Sequence, residues 1–230
     1  MADLNVDVVF LDAGGVLVGP SRDVIRDRFA AAGFSIDPDL LFEAHYRGVQ
    51  AIDIAEAAPE VFDDYHRAYA AHIGVDEVSA PSASAVLQGL WELSGLWGEI
   101  LPWAADGLAA IAATGVPIVI VSNADGTVEE LLTGTGLLQV GPGPGTEVAA
   151  VVDSGALGIA KPDPAIFHHA LGLVGATPDR AIHVGDAYQY DVRGARAAGV
   201  RPVLLDPLGI RTEADCDRVA SLVEVVALLH

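Results

Sequence analysis

Four short apolar runs constrain the fold of this chain more than any other feature of its sequence. They cover residues 6–11, 117–121, 181–184 and 201–205, and the last three each follow a helix-like segment that closes on a glycine or a proline-containing turn. Buried strands that alternate with helices predict a parallel sheet with helices on both faces. We therefore predict a doubly wound α/β fold, in which ligands bind beyond the carboxyl ends of the strands.

The segment from residue 19 to residue 100 has a different character. Its apolar residues recur at helical spacing, as in Ile25 and Phe29 after the candidate N-cap Ser21. Further helix starts or breaks are marked by Pro38, Pro59 and Pro81. We predict an all-helical domain of about four helices over residues 19–100, inserted into a core formed by residues 1–18 and 101–230. Its aromatic residues should form its own core: Phe42, Tyr46, Phe62, Tyr65, Tyr69, Trp91 and Trp97.

Charge and composition limit the partners of the chain. The formal net charge of −20 opposes binding to nucleic acid or to an anionic membrane surface. No apolar run approaches the roughly 18 residues that a membrane span needs, and the acidic start of the sequence does not resemble a secretory signal. A lone cysteine, Cys216, fits a reducing compartment. We expect a cytoplasmic protein with a small-molecule partner, and the sequence leaves a homodimer open.

Polar residues follow the first two apolar runs. Asp12 comes directly after residues 6–11 and is followed by Gly14 and Gly15, which let a backbone approach a ligand. Ser122 and Asn123 follow residues 117–121, where a hydroxyl and backbone N–H groups could hold a phosphate oxygen. Each pattern has a second interpretation, because glycines often only start the next element and Ser122 could cap a helix.

Two further motifs lie later in the chain. Lys161 is the only lysine in the sequence, and it stands just before Pro162, where an ammonium could neutralise a phosphoryl group. Asp186 follows the third apolar run, and Asp191 lies five residues later. Together with Asp12 they predict a three-carboxylate site, whose negative charge would be costly without a hard cation.

In this order, the motifs DAGGVL, SN, KPDP and GDxxxxD resemble those of the haloacid-dehalogenase-like superfamily, in the subgroup with a helical cap after the first motif. The resemblance covers essentially the whole chain and implies a Rossmann-like core with a mobile cap. It implies that Asp12 is the nucleophile of a hydrolase. By the same resemblance Ser122, Asn123, Lys161 and Gly15 hold phosphate, while Asp12, Gly14 through its carbonyl, Asp186 and Asp191 bind Mg²⁺.

Position 14 departs from the family pattern, because phosphatases of this family usually carry a second aspartate there. That residue acts as the general acid and base, a contribution of about 10²–10⁴-fold. Three interpretations stay open: a magnesium phosphohydrolase of a small phosphorylated metabolite, a 2-haloacid dehalogenase, or a non-catalytic protein that binds metal and phosphate. The first is preferred, because three uncompensated carboxylates would repel an anionic haloacid.

Overall fold

The computed structural model describes residues 6–55, 61–91, 93 and 95–230. In chain order the strands are β1 (Val8–Leu11), β2 (Val18–Pro20), β3 (Trp97–Ile100), β4 (Ile118–Ser122), β5 (Leu138–Val140), β6 (Thr146–Val148), β7 (Ala150–Asp153), β8 (Ala181–Gly185), β9 (Arg201–Leu205) and β10 (Asp217–Val219). The α-helices are α1 (Arg22–Ala31), α2 (Leu41–Ile54), α3 (Val61–His72), α4 (Ala80–Trp91), α5 (Ala104–Ala113), α6 (Val128–Gly134), α7 (Ser154–Leu157), α8 (Pro164–Val174) and α9 (Arg193–Ala197). Short 3₁₀ segments cover Pro38–Leu40, Pro178–Arg180 and Leu222–Leu228, and a π-helical turn covers Tyr188–Val192.

The chain separates into two compact units. The α/β unit contains the residues up to Val18 together with Ile100–His230, and the helical unit contains Gly19–Glu99. The division inferred from the sequence, with residues 1–18 and 101–230 as a catalytic core and residues 19–100 as a cap, stays a prediction about what each unit does.

Six strands of the α/β unit form one parallel sheet in the order β10-β9-β8-β1-β4-β7. From β1 the chain adds β4 and β7 on one side, and it then crosses to add β8, β9 and β10 on the other. All four predicted strands are present, and the doubly wound α/β fold is confirmed. Because the winding reverses beside β1, a ligand crevice is expected at the carboxyl ends of β1 and its neighbours.

The three central strands are apolar on both faces because both faces are covered. Every residue of β1, β4 and β8 is buried, which explains why their sequences are continuous apolar runs rather than alternating ones. On one face, Ile166 and Phe167 of α8 pack into a cluster with Phe10 and Val119. Each such side chain contributes roughly 1.5–3 kcal/mol when it is fully buried, so the sheet is a stable base for the loops at its edge.

The helical unit contains the four predicted α-helices among its described residues. Ser21 caps α1, since its hydroxyl accepts a hydrogen bond from Val24 N at 3.4 Å. Pro38 begins a 3₁₀ turn and Pro81 lies in the first turn of α4, whereas Pro59 lies outside the described residues.

The aromatic core predicted for this unit is present in part. The rings of Tyr65 and Tyr69 pack edge-on against Trp91, with centroids 5.3 and 6.2 Å away. Phe62 is 52% exposed, and its assignment to the core was wrong. A phenylalanine at helical spacing does not reveal which face of its helix is covered.

Several short strands were not predicted. β7 and β10 form the two edges of the large sheet, while β2 pairs with β3 and β5 pairs with β6. Residues 141–145, a glycine- and proline-rich segment, link β5 to β6. Their ends are held by Gln139, whose Oε1 accepts from Gly145 N at 2.8 Å and whose Nε2 donates to Gly141 O at 3.2 Å. Among the described residues, no helix is both long and apolar enough to span a membrane.

Candidate active site

Three of the predicted site residues lie at the carboxyl ends of neighbouring strands. Asp12 follows β1, Ser122 is the last residue of β4, and Asp186 follows β8. Because β1 pairs in parallel with both β4 and β8, these ends reach the same edge of the sheet. Asp12 N donates a hydrogen bond to Val184 O at 2.9 Å, which continues the pairing of β1 with β8 as far as the site.

Asp12 has a largely buried carboxylate, with 13% of its side chain exposed. Its Oδ1 accepts a hydrogen bond from Ala13 N at 2.7 Å, which orients the group along its own loop. Burial raises the pKa of Asp12, and the nearby Asp191 and Asp186 carboxylates act in the same direction. The Lys161 ammonium opposes them by favouring the ionised form. Burial and the two neighbouring carboxylates favour the protonated form of Asp12, so its ionised form depends on the Lys161 charge.

Lys161 connects two of the three carboxylates. Its Nζ lies 2.8 Å from Asp12 Oδ2 and 2.7 Å from Asp191 Oδ1, and only 1% of its side chain is exposed. Burial disfavours the ammonium, but the two carboxylates more than compensate and raise the pKa of Lys161 above its ordinary value. The sole lysine of the chain is therefore a buried cation at the centre of an acidic site.

Asp191 accepts hydrogen bonds on both carboxylate oxygens. Its Oδ1 is shared by Lys161 Nζ and by His183 Nε2, at 2.7 and 2.9 Å, and its Oδ2 accepts from Ala187 N at 3.0 Å. Burial alone would raise the pKa of Asp191, yet the Lys161 ammonium and the His183 hydrogen bond bring it below its usual value. We call Asp12, Lys161, His183 and Asp191 the Lys161 cluster.

The backbone also makes room for Asp191. A Cβ atom on Gly185 would lie 2.0 Å from Asp191 Cγ and 2.4 Å from its Cβ. No side chain is compatible with that distance, so position 185 requires glycine if the Asp191 carboxylate is to lie against the end of β8. The glycine in the GD motif therefore has a packing role as well as a place in a turn.

The donor set at this edge fits a hard divalent cation. Asp12, Asp186 and Asp191 each offer a carboxylate oxygen, and these three oxygens lie within 4.8 Å of one another. Carboxylate oxygens are ligands that Mg²⁺ prefers. Three carboxylates beside one ammonium leave an excess of two negative charges, which one divalent ion would balance. The assignment of Asp12, Gly14, Asp186 and Asp191 as metal ligands stays a prediction.

The two glycines in the loop after Asp12 have different backbone conformations. Gly15 adopts a positive φ of 68°, and its N–H donates to Val18 O at 2.9 Å. Gly14 forms an isolated bridge with Val18 and is not among the glycines with positive φ. A side chain at position 14 would therefore need no left-handed backbone, whereas one at position 15 would.

Asn123 holds the loop that carries Lys161. Its Nδ2 donates to Lys161 O at 2.9 Å and its Oδ1 accepts from Lys161 N at 2.8 Å, so the amide pairs with both backbone groups of one residue. Ser122, directly before it, is 4% exposed. Phosphate binding by Ser122, Asn123, Lys161 and Gly15 stays a prediction, and the Asn123 side chain has this positioning contact in addition.

Two polar residues near the site were not predicted to act there. His183 in β8 is a packed core histidine, and its hydrogen-bond partner is Asp191. Asp153 ends β7 and accepts from the N–H groups of Gly126, Val128 and Gly155 at 2.8–3.1 Å, which ties down the loop after Asn123. Its signal in the sequence is the one used for Asp12, an apolar run that ends in aspartate.

Comparisons with known proteins find similar sequences and a similar fold. A family model described as haloacid dehalogenase-like hydrolase matches residues 6–199. Haloacid dehalogenase-like hydrolase domain-containing protein 3 of Bos taurus is 37% identical over 107 residues, 46% of this chain and 40% of that protein. Phosphoserine phosphatase of Thermus thermophilus is 39% identical over 115 residues, 50% of this chain and 43% of that protein. The matched stretches thus span less than half of either relative.

A solved structure shares the fold over the whole chain. The HAD-hydrolase YfnB of Bacillus subtilis, in a structure described as bound to magnesium, superposes with a TM-score of 0.64. The match covers 98% of this chain and 99% of that one at 14% identity, a level at which the likeness concerns the fold alone.

Proposed function

Because the chain belongs to the haloacid dehalogenase-like hydrolase family, we propose that it is a magnesium-dependent phosphohydrolase of a small phosphorylated metabolite, with Asp12 as nucleophile. The observation that carries this proposal is the position of the Lys161 ammonium, 2.8 Å from Asp12 Oδ2 and 2.7 Å from Asp191 Oδ1. A buried cation at this point favours the ionised form of Asp12, against the burial that raises its pKa, and offers positive charge to an incoming phosphoryl group. The phosphatase among the curated relatives supports the same class of substrate.

The proposed reaction has two displacements at phosphorus. An Asp12 carboxylate oxygen bonds to phosphorus while the bond to the leaving oxygen breaks, and the electron pair departs with that oxygen. Water then attacks the aspartyl phosphate, which releases inorganic phosphate and regenerates Asp12. Ser122, Asn123, Lys161 and the Gly15 backbone are the proposed phosphate-binding groups. Magnesium, held by Asp12, the Gly14 carbonyl, Asp186 and Asp191, would offset the negative charge of the phosphoryl oxygens.

Gly14 determines which substrates suit this site. It supplies no carboxyl group to protonate the leaving oxygen, so an alkoxide would have to take its proton from solvent. A carboxylate or phenolate leaving group has little need of a proton, which favours acyl phosphates and aryl phosphates. Since Gly14 does not need the left-handed region, an aspartate placed there should be tolerated by the backbone.

Gly14 also supports a second candidate, a 2-haloacid dehalogenase, because a halide leaves without a proton. The charge of the site argues against it. Asp186 and Asp191 lie beside Asp12, and a haloacid carboxylate would meet three negative groups and a single ammonium. The third candidate is a non-catalytic protein that binds metal and phosphate through the same residues.

The test is turnover of phosphate esters and acyl phosphates graded by the pKa of the leaving group, with magnesium or with EDTA. We expect magnesium-dependent turnover that rises steeply with better leaving groups and is lost in Asp12→Asn. Gly14→Asp should raise the turnover of substrates with poor leaving groups, by up to about 10²–10⁴-fold. The control is Asp179→Asn, which removes the same charge from an exposed residue in the turn before β8, at the opposite edge of the sheet. Its turnover should equal that of the unmodified protein.

Two results would decide against the phosphohydrolase. Release of chloride from 2-chloropropionate, abolished by Asp12→Asn, would establish the dehalogenase. The absence of any turnover, with magnesium and phosphate still bound, would leave the non-catalytic protein. The cytoplasmic location and the exclusion of nucleic-acid partners stay predictions from charge and composition.

A further inference from the structure

His183 has an environment that packing alone does not explain. It lies in the middle of β8 with 0% exposure, and its ring packs edge-on against Phe167 at a centroid distance of 4.8 Å. Four of the five residues of β8 carry no polar side chain, and the strand could be completed by another aliphatic residue. A buried imidazole costs free energy unless its polar atoms are used.

The hydrogen bond of His183 has a defined direction. Asp191 already accepts from Lys161 and Ala187, and an ionised carboxylate can only accept. The proton of the 2.9 Å contact therefore resides on His183 Nε2. His183 Nδ1 makes no hydrogen bond of good geometry among the described residues, although the Phe10 backbone carbonyl also acts on the imidazole. The proton on Nε2 therefore follows from Asp191, which can only accept, and not from Nδ1.

This hydrogen bond acts on the oxygen that also holds Lys161. Asp191 Oδ1 accepts hydrogen bonds from both His183 Nε2 and Lys161 Nζ, while Oδ2 accepts one from Ala187 N. Without His183, Oδ1 would keep one hydrogen-bond partner among the described residues, the Lys161 ammonium that this oxygen is proposed to position. The chain of contacts continues from Lys161 Nζ to Asp12 Oδ2. A rotation of the Asp191 carboxylate would therefore displace the Lys161 ammonium from Asp12.

We propose that His183 is a positioning residue, which orients Asp191 so that the Lys161 ammonium and the metal-binding carboxylates are held in place beside Asp12. The inference rests on the function proposed above. It assigns to a core histidine a role in the site that the motif pattern does not contain. Groups that orient ligands from outside the metal's own coordination sphere typically change metal affinity or activity by about 10–100-fold when they are removed.

Three variants separate positioning from packing. His183→Leu removes the donor and keeps an apolar side chain. His183→Gln places an amide Nε2 donor at a similar distance from the backbone. Phe167→Leu is the matched control, because it loosens the packing around the imidazole while it leaves the hydrogen bond to Asp191 intact.

The first readout is binding of Mn²⁺, as a paramagnetic substitute for Mg²⁺, to protein without substrate. We expect affinity to fall about 10–100-fold in His183→Leu, to recover largely in His183→Gln, and to stay unchanged in Phe167→Leu. Equal losses in His183→Leu and Phe167→Leu would show that packing is the only role. Unchanged affinity in His183→Leu would overturn the proposal outright.

The second readout is spectroscopic and uses the single lysine. Labelling with lysine enriched in ¹⁵N at Nζ gives one side-chain ammonium signal, from Lys161. That signal should shift in His183→Leu and not in Phe167→Leu. If His183→Leu fails to fold, the ¹⁵N spectrum of His183 in the unmodified protein decides: a proton on Nε2 supports the inference, and a proton on Nδ1 alone overturns it. Neither readout requires turnover, so a protein without hydrolase activity would contradict the proposed function and not this inference.

Discussion

Two buried aspartates near the carboxyl edge of the sheet have contrasting partners. Asp206, directly after β9, accepts from the N–H groups of Ile210 and Arg211 at 3.0 and 2.9 Å and from Arg218 Nη1 at 3.1 Å. Its partners close its own loop, and the arginine side chain is 36% exposed. Asp191 shares one oxygen between a buried histidine 8 residues away and a buried lysine 30 residues away.

The difference shows how a structural carboxylate can be told from one that belongs to a site. Burial does not separate them, because both side chains are at most 3% exposed. The partners do: Asp206 satisfies local backbone donors, as turn aspartates commonly do, whereas Asp191 holds a cation that also contacts a second carboxylate, Asp12. Substitutions at the two positions should therefore affect different properties of the protein.

The largest effect should follow from removal of the cation at each position. Lys161→Met leaves Asp12 and Asp191 without their shared partner, and we expect a loss of about 3–5 kcal/mol in the free energy of unfolding. Arg218→Met removes a partly exposed cation from Asp206, which retains two backbone donors, and should cost about 0–1 kcal/mol. Urea unfolding in metal-free buffer measures both. Similar losses for the two variants would contradict the contrast.

A smaller effect, on turnover, should follow from substitution of the aspartates themselves. Asp191→Asn should reduce magnesium-dependent turnover by about 10–100-fold, because it removes a negative charge from the site and puts an NH₂ group, which cannot accept from Ala187 N, in place of Oδ2. Asp206→Asn should cost about 1–3 kcal/mol of stability through the loss of charged hydrogen bonds and leave turnover unchanged. Steady-state kinetics and urea unfolding on both variants give the comparison. Impaired turnover in a folded Asp206→Asn protein would place Asp206 in the site as well.

The sequence predicts the centre of this molecule better than its edges, for a physical reason. Strands β1, β4 and β8 are covered on both faces, so burial shows directly as apolar runs. At the sheet edges only one residue of β10 is buried and only half of β7, so a strand there resembles a loop in sequence.

The candidate site follows the same rule. Asp12 and Ser122 stand directly after apolar runs and Asp186 stands one residue later, and all three were predicted from that position. The contact between Lys161 and Asp191 joins residues 30 positions apart, and only the fold defines it. His183 gave no signal of its own, because a histidine within an apolar run predicts burial but not the identity of the hydrogen-bond partner. Phosphate binding by Asn123 stays a prediction, and its contact with the Lys161 backbone is one that only the fold defines.

That contact of Asn123 gives a third, more modest prediction. Asn123→Ala removes two hydrogen bonds that hold the Lys161 backbone, and Gln139→Ala removes bonds that hold the ends of residues 141–145 in the same manner. Both variants should lose about 1–2 kcal/mol of stability. Turnover should fall several-fold only in Asn123→Ala, and kinetics at saturating magnesium measure this. Normal turnover in a folded Asn123→Ala protein would show that the Lys161 loop keeps its position without this clamp.

The smallest expected effect is the salt dependence of the stability that each aspartate gains from its cation. Exposed charge pairs are screened as the Debye length falls from about 10 Å at roughly 0.1 M salt to about 3 Å at roughly 1 M, and buried pairs much less. The loss caused by Arg218→Met should therefore decline towards zero in concentrated NaCl, a change of a few tenths of a kcal/mol. The loss caused by Lys161→Met should persist, because 1% of that side chain is exposed. Urea unfolding of both variants and the parent at the two salt concentrations makes the measurement. A Lys161→Met loss that declined in parallel would mean that solvent reaches the ammonium, and the description of the Lys161 cluster as a buried charge network would be wrong.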